Sequence, residues 1–130
     1  MDLLLLFALG LDGSPSASVG VRERVLGLEA GVVMVDDIHG WQSVATITGT
    51  LPDTPLRGTI GAGRVWWDEP RGVGGSAVNY ALFARAEWHG SAPLFLELRH
   101  YSTGKRLLGE QRDHFNPEYN GLFLGTLLEF

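Results

Sequence analysis

Two neighbouring segments of this sequence place charged and aromatic residues on one side of an extended chain. Phe83, Arg85 and Glu87 alternate along 78–88, and Phe95, Glu97, Arg99 and Tyr101 alternate along 94–101. The two-residue period of a strand sets each series on one face. The opposite faces carry Tyr80, Leu82, Ala84, Ala86 and Trp88, then Leu94, Leu96 and Leu98. With His89-Gly90 as the turn, the pair reads as a hairpin. A register in which paired residue numbers sum to 182 sets Arg85 against Glu97 and Phe83 against Arg99. Sliding by two would oppose Arg85 to Arg99 and Glu87 to Glu97, and like charges directly opposite are disfavoured.

The mixed face has two readings. An antiparallel strand ordinarily turns its charges to water, and that outcome is the more usual one. The interleaved rings support the other: aromatic walls with a few placed polar groups line small-molecule cavities. An eight-stranded barrel has about the room for one such ligand. The Leu94-Leu96-Leu98 row would then turn outward, against a helix or a second subunit. On this reading Glu97, Tyr101 and Arg85 are the candidate catalytic residues, and Phe83, Phe95, Arg99, Trp66 and Trp67 the candidate ligand-binding ones. Arg85 holds the Glu97 charge, a carboxylate desolvated among Phe95 and Trp66 moves protons, and Tyr101 donates to a developing oxyanion.

Other chemistries find little support. Gly58 to Gly63 lacks the order, the lysine and the strand-to-helix setting of a phosphate cradle, and reads as a turn. His39, His89, His100 and His114 show no metal-ligand spacing and read as bystanders, so no metal or other cofactor is expected. There is no Gly-x-Ser-x-Gly elbow, and scattered residues neither support nor exclude a serine triad. Without cysteine there is no thiol nucleophile and no disulfide framework. A net charge of −5 with a single lysine, Lys105, argues against nucleic acid, and the scattered arginines argue against an anionic membrane surface. The expectation is a cytoplasmic protein with no membrane partner.

The elements that would position these residues are strands. Candidates are 2–9, 24–35, 41–49, 56–60, 63–69, 77–88, 94–101, 105–111 and 121–129, separated by turn signals such as Asp37 to Gly40, Gly61 to Gly63 and Asn116-Pro117. Val21, Val25 and Leu28 allow at most one short helix over 18–29, weakened by Gly20 and Gly27. Leu3 to Leu9 is too short for a membrane helix, and Asp2 is wrong for a signal peptide, although Ser16-Ala17-Ser18 could pass for a cleavage site; a buried first strand is the simpler reading. The 18 glycines among 130 residues, about twice the usual share, are assigned to turns. The expected fold is all-β: one small antiparallel barrel of about eight strands over 1–130.

Leu56-Arg57-Gly58-Thr59-Ile60, then Gly61-Ala62-Gly63-Arg64-Val65-Trp66-Trp67, Tyr80-Ala81-Leu82, Glu87-Trp88-His89-Gly90 and Phe123-Leu124-Gly125-Thr126 together resemble the small β-barrel family catalogued as domain of unknown function 3237. The chain departs from that pattern at Ala62, within the family's Gly-Gly, and at Trp66, where the family has Asp before Trp. The resemblance implies a calycin-like, homo-oligomeric barrel and transfers no catalytic residue. The function expected is binding of a hydrophobic small molecule, in its sharper form a cofactor-independent cyclase or isomerase. The rival is a non-enzymatic interaction or assembly module anchored by Trp41, Trp66, Trp67, Trp88 and Tyr119.

Overall fold

The computed structural model describes residues 1–70, 72, 77–103 and 119–130. Eight strands follow in order: β1 (Asp2–Gly10), β2 (Pro15–Glu23), β3 (Leu26–Val35), β4 (Ile38–Thr50), β5 (Leu56–Trp67), β6 (Val78–His89), β7 (Pro93–Ser102) and β8 (Tyr119–Glu129). Each pairs antiparallel with its neighbours in sequence, and β8 returns to β1, so the sheet closes and leaves no free edge. The β6–β7 register is the expected one, with Arg85 opposite Glu97 and Phe83 opposite Arg99.

Local chemistry explains where sequence and structure part. Residues 15–23 form a strand rather than the start of a helix, because Val19 and Val21 face out while Gly20 and Arg22 face in. The chain then turns through Arg24 and Val25, with Arg24 at φ 57°. Asp36 and Asp37 form the β3–β4 turn, both at positive φ, the pattern of a two-residue hairpin loop. Gly61-Ala62-Gly63 is no turn: 56–67 is one strand, and a Cβ at Gly61 would strike the Phe83 ring, which lies across it inside the barrel. The expected strand 105–111, His114 and the turns at Gly74-Gly75 and Asn116-Pro117 lie outside the described residues.

The connections 24–25, 51–55 and 90–92 are short and lie at one end of the barrel, which we term the short-turn end. At the other end, which we term the long-connection end, lie the connections 11–14 and 36–37 and the strand ends Trp67, Val78, Ser102 and Tyr119. In the turn 11–14, burial by itself would raise the Asp12 pKa, yet it lies below the ordinary value, because Ser14 and the Tyr119 hydroxyl donate to the carboxylate.

The alternation runs opposite to that of a soluble barrel. Leu3, Phe7, Leu28, Ile47, Ile60, Leu82, Leu96 and Leu98 are exposed on the outer wall, whereas Arg22, Glu29, Arg85, Glu87, Glu97 and Arg99 are buried within. Among the described residues, most of the buried apolar side chains inside gather in two clusters. One joins Val33, Val35, Val44, Val65, Trp67, Phe83 and Tyr101 towards the long-connection end, and the other joins Leu4, Leu6, Phe95 and Leu127.

Candidate functional site

The residues singled out in β6 and β7 do converge, inside the barrel. Arg85 donates from Nε to Glu97 at 2.8 Å and from its two terminal nitrogens to Glu29 at 2.7 and 2.8 Å. Arg99 donates to the other Glu97 oxygen at 2.7 Å and stacks over Phe123. Arg22 holds Glu87 by two bonds, at 3.1 and 2.8 Å, and the Thr59 hydroxyl donates to the same carboxylate. Tyr101 donates to Gln42 at 2.6 Å, and the Trp67 indole to Asn79. Phe83 and Phe95 lie against the Arg85 guanidinium. Three guanidinium groups thus meet the carboxylates of Glu29, Glu87 and Glu97, and their hydrogen-bonding capacity goes largely to one another. Trp66 is the exception to the grouping: it faces outward and pairs with Trp41, away from Phe95.

The outer wall holds a second arrangement. The apolar row Leu94-Leu96-Leu98 continues into His100 and Ser102, so a histidine and a hydroxyl occupy successive outward positions near the long-connection end. Side chains two residues apart on a strand stand about 7 Å from one another. His100 pairs across the ladder with Asn120, and its Nδ1 lies 2.7 Å from the amide oxygen. An amide oxygen only accepts, so this bond puts the hydrogen on Nδ1 and makes Nε2 the basic nitrogen. Asn120 is exposed, His100 half-buried and Ser102 buried. From His100 and Asn120 an open, largely apolar depression of about 1210 Å³ crosses the wall over Leu98, Leu82, Ala62, Ala45 and Leu28. The wall is low there because Ala45 and Ala62, with their short side chains, stand side by side in the same cross-strand row as His100.

This group was not singled out from the sequence, where His100 read as a bystander. The available signal was the interruption of an outward leucine row by His and Ser at a two-residue spacing. Asn120 lies beyond 103–118, and nothing in its spacing points back to His100.

Solved barrels share this architecture. One, from the de novo design of transmembrane β-barrels, superposes with a TM-score of 0.62 at 10% identity, covering 99% of this chain and 93% of that one. The outer membrane enzyme PagL superposes with a TM-score of 0.62 at 12% identity, covering 98% of this chain and 99% of that one. Such identities establish the fold alone. No family model and no curated protein matches the chain. The expectation of a cytoplasmic protein with no membrane partner is corrected on two findings: apolar residues form the outer wall, and the two solved barrels named above, on which the chain superposes, are membrane barrels. That expectation rested on net charge, on scattered arginines and on the absence of cysteine, and none of these bears on strands that hide their charges inside.

Proposed function

We propose that this chain spans a membrane as a β-barrel and hydrolyses an ester of an amphiphile at its outer wall, with Ser102 as nucleophile, His100 as general base and Asn120 orienting the imidazole. The observation that carries the reading is the 2.7 Å His100–Asn120 bond beside Ser102 on an apolar exterior. A base held in one tautomer by a third group, next to a hydroxyl, is the arrangement by which serine is activated.

Membrane residence is supported by the wall itself. Strands of 9 to 13 residues suit a tilted crossing. Trp41, Trp66 and Tyr80 face out towards the long-connection end and Trp88 towards the short-turn end, as in the aromatic girdles of membrane barrels. Tyr80 and Trp88 are eight positions apart on β6, about 20 Å along the barrel axis at the usual rise and tilt. The leucine row then meets lipid rather than a helix or a second subunit. PagL, similar in fold, is an outer membrane enzyme.

The expected small-molecule chemistry moves accordingly from the lumen to the wall. Ser102 Oγ attacks the ester carbonyl while His100 Nε2 takes its proton. Collapse of the tetrahedral intermediate expels the alcohol, which receives that proton, and leaves an acyl-serine. Water, deprotonated by His100, then releases the carboxylic acid. The apolar depression leading from His100 suits the acyl chain. Protein folded in detergent micelles should hydrolyse a long-chain acyl ester, with Ser102→Ala and His100→Ala each lowering turnover by about 10³-fold or more and Asn120→Ala by less. Unchanged hydrolysis by folded Ser102→Ala protein would end this reading.

A further inference from the structure

Arg64 breaks the pattern of the outer wall. Among the described residues it is the one arginine or lysine that a strand turns outward: Arg22, Arg57, Arg85 and Arg99 turn inward to carboxylates. No carboxylate among the described residues lies within ion-pair distance of Arg64, whose guanidinium sits 5.7 Å from the centroid of the Tyr80 ring. A cation on a lipid-facing wall is costly at the midplane and costs close to nothing near the interface. Arg64 lies three positions from the end of β5, one outward position from the Trp41–Trp66 pair that the proposed membrane crossing sets at the interface.

Its position relative to the proposed site is specific. Ser43, Arg64, Tyr80 and Ser102 form one cross-strand row, with Tyr80 between the guanidinium and the hydroxyl. Two strand spacings separate the Arg64 and Ser102 backbones by about 10 Å, and the arginine stem spans part of that gap. Resting on the proposed hydrolysis at Ser102, we infer that Arg64 binds the phosphate head group of the amphiphile whose ester reaches Ser102. The guanidinium fork matches phosphate oxygens in pairs, and the Tyr80 ring holds its plane. A lipid phosphate suits the place better than free phosphate, because Trp66 and the apolar wall on either side would strip water from a free ion without returning a contact.

The test compares two esters with identical acyl chains in dodecyl maltoside micelles, dilauroyl phosphatidic acid and dilauroylglycerol. The unsubstituted protein should prefer the phosphorylated lipid, Arg64→Gln should lower the ratio of the two kcat/KM values at least tenfold, and Arg64→Lys should restore part of it. An activity-free arm uses Ser102→Ala protein. Native mass spectrometry should find phosphatidic acid retained over diacylglycerol, lost on adding Arg64→Gln, and not displaced by millimolar inorganic phosphate. Hydrolysis surviving in Ser102→Ala would remove the proposed reaction while retention still judges Arg64. A dead Ser102→Ala with preference and retention untouched by Arg64→Gln would reduce Arg64 to an interfacial anchor and overturn the inference, and displacement by inorganic phosphate would overturn its lipid source.

Discussion

Arg85 keeps its charge inside the barrel because carboxylates meet it from three sides: Glu29 by two bonds, Glu97 by one, and Glu87 at 3.4 Å. The attraction of such a cluster is offset by desolvation, so its removal as a set can be nearly neutral, whereas deleting one member strands the others. Arg85→Met is therefore expected to cost about 3–5 kcal/mol in urea unfolding from lipid vesicles, and adding Glu29→Met should recover part of that loss. A single-variant cost below ~1 kcal/mol would mean that water reaches the cluster and solvates the orphaned carboxylates. The Arg85–Glu97 part of this cluster was legible from charge, since the register two residues away sets Arg85 against Arg99 and Glu87 against Glu97; the Glu29 part was not. The outer-wall group was not, because His100 and Asn120 are brought together by a ladder that closes over an intervening connection.

At the level of the strand, the two-residue period was readable, but the period alone did not say which side faces inward. Alternation is symmetric: a soluble barrel with apolar residues inside and a membrane barrel with polar residues inside write the same pattern. The aromatics threaded among the charges, Phe83, Phe95 and Tyr101, pointed to the lumen, and it is there that they lie. Boundaries failed where glycine stands in for a side chain rather than for a turn. Gly61 leaves room for Phe83, and Gly40 for Trp67, whose ring atoms would lie 2.7 Å from an added Cβ. The orientation makes a sharp prediction. Leu98 lies near the middle of β7 on the outer wall and Trp88 near the short-turn end of β6. In phospholipid vesicles Leu98→Arg should lose about 2–4 kcal/mol and Trp88→Arg clearly less. If both are harmless in equilibrium unfolding, water rather than lipid covers that wall.

For the whole molecule the question is whether a closed barrel with a charged interior conducts. Eight strands enclose a lumen only wide enough for side chains to fill. The filling here is layered. Arg57 and Arg22 share Glu129 towards the short-turn end, the cluster around Arg85 follows, and Trp67, Tyr101, Val65 and Phe83 close the lumen towards the long connections. An ion crossing in either direction would have to break charge pairs and pass an apolar layer whose few polar groups are bonded to one another. The folded protein in a planar bilayer should therefore show no discrete conductance steps at 100 mV, in contrast to barrels whose larger strand number leaves an aqueous channel. Replacing Trp67 and Tyr101 together by alanine removes the apolar layer and the Tyr101–Gln42 and Trp67–Asn79 bonds that hold it. That variant should admit intermittent current. Steps in the unsubstituted protein would show that the ion-pair network opens, and the lumen, rather than the outer wall alone, would then have to be counted as a path for solutes.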